Sequence, residues 1–226
     1  MTAHILDRPV WSALSTRQFA FGLGGDHARR FAVDIGPLTS ARDDSVESLA
    51  ALGDLVPIAG TLLLLQADAI MLPRGISALS TADGVQMVAE QLAPVASDSR
   101  IERLTEADTP AMLALASLTN PGPFAARTSD LGEFWGVKDG ASLVAMAGER
   151  MKQDGFTEVS GVCTHPDARG RGFARALSAT VAGRILARGD VPYLHAYATN
   201  KAAIDLYESL GFRLRCRMNV AVIGRV

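Results

Sequence analysis

Apolar and polar positions follow two rhythms along this chain, and the C-terminal half keeps them more cleanly. Apolar runs at 101–104, 134–137, 142–150, 156–164, 193–197 and 213–222 read as strands. Helical spacing appears at 109–118, after Gly172 and after Asn200. Asp108-Thr109-Pro110 marks the start of the first helix, and Asp139-Gly140 a hairpin turn. Leu177, Val181 and Ile185 form the stripe of the second helix, which Gly189 ends. In the third, Ala203, Leu206, Tyr207 and Leu210 share a face between Asn200, a good N-cap, and Gly211, a good C′ residue. This order implies an α+β fold. A twisted, mostly antiparallel sheet is flanked by helices, with one parallel strand pair across the second helix.

The N-terminal half is less regular. It holds a helix-like start, a Gly22-Leu23-Gly24-Gly25 turn, a charged helix near 43–52 and a strand near 85–88. Residues 55–72 are the most apolar stretch, but Pro57, Gly60, Gln66 and Asp68 interrupt it. It therefore fails as a membrane span and reads as two buried strands around a turn. Residues 95–100, with Ser97, Asp98 and Ser99, read as a linker, which divides the chain into 1–96 and 97–226. The first part is an auxiliary α/β region, for which packing or homodimerisation is one role.

Composition narrows the class. Of 226 residues, 48% are hydrophobic and 20% charged, as in a globular protein. A formal net charge of −2 gives no reason to expect nucleic acid or an anionic membrane as partner. Two cysteines, Cys163 and Cys216, are too few for a disulfide framework, so a reducing cytoplasm is the expected location. The N-terminus carries His4, Asp7 and Arg8 before any apolar run, unlike a signal peptide. No His/Cys/Asp cluster has metal-ligand spacing, and no metal is expected.

The chemistry concentrates in Val162-Cys163-Thr164-His165-Pro166-Asp167-Ala168-Arg169-Gly170-Arg171-Gly172-Phe173-Ala174. A strand ends at a proline turn, and a basic glycine-rich loop feeds a helix. Such a helix start suits a phosphorylated ligand. Arg169, Arg171 and Arg175 crowd the positive end of the helix dipole, which makes sense if an anion binds there. The P-loop pattern is absent. A dinucleotide fingerprint fails too, because Arg175 stands where a third small residue is needed and Pro166 breaks the strand-to-glycine turn.

The loop resembles the acyl-CoA-binding motif of the GCN5-related N-acetyltransferase (GNAT) superfamily, [RQ]-x-x-G-x-[GA], here Arg169-x-x-Gly172-x-Ala174. A second segment, from Asn200 through Ala203, Leu206, Tyr207 and Gly211 to Phe212, resembles the family's late N-x-x-A-x-x-L-Y-x-x-x-G-F motif. The likeness covers residues 101–226 and points to the FR47-like, glycine N-acyltransferase-like branch. On this view the N-terminal half is an auxiliary region, or a degenerate copy of the same fold.

The resemblance implies transfer of an acetyl group from acetyl-CoA to a primary amine, on a small molecule or a peptide, by direct attack. Val162, Cys163 and Thr164 would present backbone to the pantetheine arm. Residues Arg169, Gly170, Arg171, Gly172, Phe173 and Ala174 would cradle the pyrophosphate, with Asn200 also touching the coenzyme. Tyr207 would serve the departing thiolate. Glu158, eleven residues before Arg169, would be the base, with Glu149 a competitor and Glu133 a weaker one. His165 and His195 show no partner in the sequence and read as structural. A lysine-like amine is only about one part in a thousand neutral at pH 7, so either a base or a dry pocket must offset that handicap. A non-catalytic acyl-CoA-binding module and amino-acid conjugation of the glycine N-acyltransferase type stand as alternatives.

Overall fold

The computed structural model describes residues 4–226. Eleven strands form one continuous sheet: β1 (Gly22–Gly24), β2 (Ala28–Phe31), β3 (Leu38–Ala41), β4 (Leu62–Gln66), β5 (Ile76–Val88), β6 (Ile101–Arg103), β7 (Phe134–Asp139), β8 (Ser142–Gln153), β9 (Phe156–Thr164), β10 (Val191–Tyr197) and β11 (Arg213–Arg225). Their order across the sheet is β1-β2-β3-β4-β11-β5-β10-β9-β8-β7-β6. Five helices flank it: α1 (Pro9–Ser15), α2 (Val46–Leu55), α3 (Thr109–Thr119), α4 (Phe173–Ala187) and α5 (Lys201–Ser209).

The pairing is mostly antiparallel, with the expected parallel pair β9–β10 across α4. A second parallel pair, β3–β4, lies in the N-terminal half. That half is built into the sheet. Strand β5 sits between β10 and β11 and pairs along its length with β11, from Arg213↔Val88 to Arg225↔Ile76. The segment read as a linker joins two parts of one sheet.

Burial explains the helices' positions. Leu6, Val10, Ala13 and Leu14 around α1 pack with Leu65, Met151, Tyr193 and Met218 on one face, and α3 extends that layer with Met112 and Leu115. On the other face, Leu52 of α2 packs with Leu62 and Leu64, and Leu177, Val181 and Ile185 of α4 pack with Met87 and Leu194. Alternation along β4 thus sends Leu62 and Leu64 to one layer and Leu63 and Leu65 to the other, which accounts for its unbroken apolar run.

Two readings of the N-terminal half are corrected. The stretch 55–72 holds one strand, not two: Leu55 closes α2 and only Leu62–Gln66 is extended. The following loop is pinned instead by side chains, with Gln66 Nε2 donating to Ala69 O (3.1 Å) and Asn219 Nδ2 to Ala67 O (3.0 Å). Strand β5 begins at Ile76, well before the expected 85. Most of the residues from Ser77 to Asp83 are exposed and small or polar, so they carry no apolar alternation to betray a strand. The Gly22–Gly24 turn is a short edge strand.

Candidate active site

Strands β9 and β10 pair only at Val191↔Phe156, Pro192↔Thr157 and Tyr193↔Glu158. Beyond Glu158 they part, so residues 160–164 face a gap instead of a neighbouring strand. On its other side β9 slips register against β8 between Met146↔Cys163 and Gly148↔Ser160. The bulge is centred on Gly161, whose φ of 62° is left-handed and whose added Cβ would lie 2.9 Å from the Phe134 ring. One extra residue flips the alternation. Val159 and Val162 therefore both join the α4 layer while Cys163 joins the α3 layer. Plain strand alternation would put Glu158, Ser160, Val162 and Thr164 on one face, and it fails at the bulge.

A cavity of about 600 Å³ occupies the gap. The expected coenzyme residues Val162, Cys163, Thr164, Arg169, Gly170, Gly172, Phe173, Ala174 and Asn200 all line it. Gly170 and Gly172 have φ of 75° and 79°, and an added Cβ at either would meet nothing within 4 Å. Gly172 is the N-cap of α4 and gives that helix no side-chain cap, so first-turn N–H groups remain open to an anion. Thr164 Oγ1 is buried without a hydrogen-bond partner. Arg175 also lines the cavity and donates to the Ser209 hydroxyl, tying α4 to the end of α5. Asn200 Oδ1 accepts from Ala203 N at 3.2 Å, capping α5 as expected. Arg171 is placed differently: its guanidinium lies 4.9 Å over the Phe173 ring and 3.7 Å from Asp139, outside the cavity lining. Open glycines, free helix amides, two arginines and an orphaned hydroxyl fit a long phosphorylated thioester.

A second, compact cavity of about 120 Å³ adjoins the first. Pro121, Val162, His195, Ala196, Tyr197 and Tyr207 line both. Tyr207 stands at the junction. Its ring packs edge-on against Phe212 at 6.0 Å, and its hydroxyl finds no hydrogen-bond partner among the described residues. Burial pushes its pKa up to about 12.

Glu158 lines the compact cavity but is fully engaged. Arg150 grips it with two hydrogen bonds of 2.8 and 2.7 Å, His195 Nδ1 lies 2.7 Å from Oε1, and Met151 N donates at 3.3 Å. Its side chain is 1% exposed. Burial alone would raise its pKa, but Arg150 and His195 outweigh burial and hold it at about 2. His195 has partners on both ring nitrogens, which sequence reading missed. Gln86 Nε2, which also donates to Leu6 O at 3.0 Å, lies 2.9 Å from His195 Nε2, while Arg215 holds Gln86 Oε1. With Gln86 fixed as donor, His195 Nε2 accepts and Nδ1 carries the proton toward Glu158. Two further carboxylates stand elsewhere. Glu149 pairs with Arg188 and Lys152, and Glu133 with Arg103, outside both cavities. His165 sits in the turn before the loop, where its Nδ1 accepts from Asp167 N.

The comparisons agree with this geometry. Residues 135–221 match the family described as FR47-like protein. A solved structure from Novosphingobium aromaticivorans, assigned to the GNAT family of acetyltransferases, is 41% identical, with 99% of this chain and all of that one covered and a TM-score of 0.93. A GCN5-related N-acetyltransferase from Kribbella flavida is 15% identical, with 98% and 94% covered and a TM-score of 0.62. A GCN5-related N-acetyltransferase-like protein from Streptococcus suis is 14% identical, with 95% and 92% covered and a TM-score of 0.55. These two share the fold. No curated protein matches. The curled sheet with its flanking helices is the fold of these acetyltransferases. The chain belongs to the GNAT family.

Proposed function

We propose that the protein is an N-acetyltransferase that moves an acetyl group from acetyl-CoA to a primary amine by direct attack. The observation that carries this is the Tyr207 hydroxyl, without a hydrogen-bond partner among the described residues, at the junction of a phosphate-ready cavity and a compact one. Acetyl-CoA supplies an activated acyl group on a thiol leaving group. Residues 162–164 hold the pantetheine arm along the open edge of β9, and the Gly170–Gly172 turn with the α4 amides holds the phosphates. The amine nitrogen bonds to the acyl carbon, the carbon–sulfur bond breaks, and the nitrogen's extra proton leaves to water. Tyr207 donates a hydrogen bond to the departing sulfur. With its pKa near 12, above a thiol's usual ~8.5, the hydroxyl acts as a donor and keeps its proton.

Glu158 serves this reading as an anchor. A carboxylate near 2 whose lone pairs already meet Arg150, His195 and Met151 N has no free site for the amine proton. Nor is Cys163 suited to an acyl-enzyme route: burial raises its thiol to about 11. Cys163 and Cys216 are both free. No helix of the described residues is long and apolar enough to cross a membrane.

Coenzyme A should raise Tm more than ATP or NADH does. Gly172→Ala should cost about 1 kcal/mol of stability because φ is 79°, and should remove most of the coenzyme's effect because the new methyl points into the ligand's space. Thermal scans with the three ligands check this; equal shifts from all three would mean a generic anion site.

A further inference from the structure

Resting on the acetyl-transfer reading, we infer that the acceptor is a weakly basic amine, near the α-amine range, carried on a compact apolar body. One part of the small cavity's wall comes from the N-terminal half and its partner strand, as Leu38, Leu63, Leu65 and Val220, and Pro121 and Pro123 also line it. Among the described residues, Glu158 is the one carboxylate in that lining, and the larger cavity has none. Glu158 is committed to Arg150 and His195, as shown above. A polyamine, an aminoglycoside or a lysine side chain would bring charge that nothing there neutralises. An apolar side chain would instead cover the leucines, and its nitrogen would lie beside Tyr207.

The same wall decides how the nitrogen becomes nucleophilic. The ring nitrogens of His195 and the oxygens of Glu158 are all engaged, so neither offers a free lone pair to an ammonium ion. The site therefore takes the amine in its neutral form. At pH 7 an α-amine with a pKa near 8 is neutral about two orders of magnitude more often than an alkylamine near 10.4. The acceptor's own basicity then sets the rate, which an enzyme base would mask.

The test compares leucinamide, isoamylamine and spermidine with the full-length protein and acetyl-CoA. Leucinamide and isoamylamine share a branched apolar body but differ in basicity. At pH 7 kcat/KM for leucinamide should exceed that for isoamylamine by about a hundredfold, and spermidine should be poorest. Each profile should climb with pH up to its own amine's pKa, so the gap between the first two closes in alkali. Leu63→Asp should lower leucinamide turnover at least tenfold and favour spermidine relative to it, with the coenzyme-induced Tm shift retained as proof of folding. Equal rates for the two monoamines at pH 7 with one shared profile, or preference for spermidine, would overturn the inference while leaving acetyl transfer intact. Acetylation of none of them, with coenzyme A still stabilising the protein, would overturn it too. A broader amine panel then tests the underlying reading, which fails if no amine is acetylated.

Discussion

Replacing Tyr207 by phenylalanine is expected to lower kcat by about ten- to a thousandfold while leaving affinity for coenzyme A nearly unchanged. The ring keeps its edge-on contact with Phe212 and its place in the core beside Leu210, so α5 stays where it is. Only the hydroxyl is lost, and it makes no hydrogen bond among the described residues that the substitution could break. A donor aimed at a leaving sulfur matters most when the carbon–sulfur bond is breaking, so the loss falls on turnover rather than on binding. Steady-state rates beside a coenzyme-binding isotherm separate the two. A phenylalanine variant turning over at full rate would remove Tyr207 from the chemistry.

The second large effect concerns stability. Glu158→Gln should destabilise the fold by about 3–5 kcal/mol, because Arg150 would keep its charge in a nearly closed site without its partner. The acid limb of the stability curve should change with it. Glu158 is held at about 2, below its ordinary 4.5. A depressed carboxylate contributes stability that is fully present above about 4.5 and is lost as pH falls towards 2. The variant should therefore show a flatter decline through that window. Urea melts at several pH values check both expectations; a variant as stable as its parent, with the same acid limb, would mean that the Arg150–Glu158 pair anchors nothing.

How far the sequence could be read follows from where the information lies. The residues that line the larger cavity, proposed above as the coenzyme's cradle, were legible because they are local: strand, glycine turn and helix start are contiguous, and Asn200 lies close to Ala203 and Tyr207 of α5. The network around Glu158 is assembled across the sheet. Arg150 comes from β8, His195 from β10 and Gln86 from β5, which approaches from the other half of the chain. A regular hairpin turning at 154–155 would set Met151 opposite Glu158; the register shift between Glu149↔Val159 and Lys152↔Thr157 is what brings Arg150 to it, and no sequence pattern shows that shift. The wall proposed for the acceptor was hidden for another reason. Leu38, Leu63 and Leu65 look like ordinary core, and two of them are core on most of their surface. What makes them a wall is the parting of β9 and β10 beyond Tyr193↔Glu158, and the apolar pattern does not announce where two paired strands separate.

The most direct test of direct acetyl transfer is to quantify, in one reaction of the intact protein with acetyl-CoA and leucinamide, the free thiol released and the N-acetyl amide formed. The account predicts that the two rise together in equal amounts. Thiol release without amide, or no release of either while the coenzyme still binds, would contradict it.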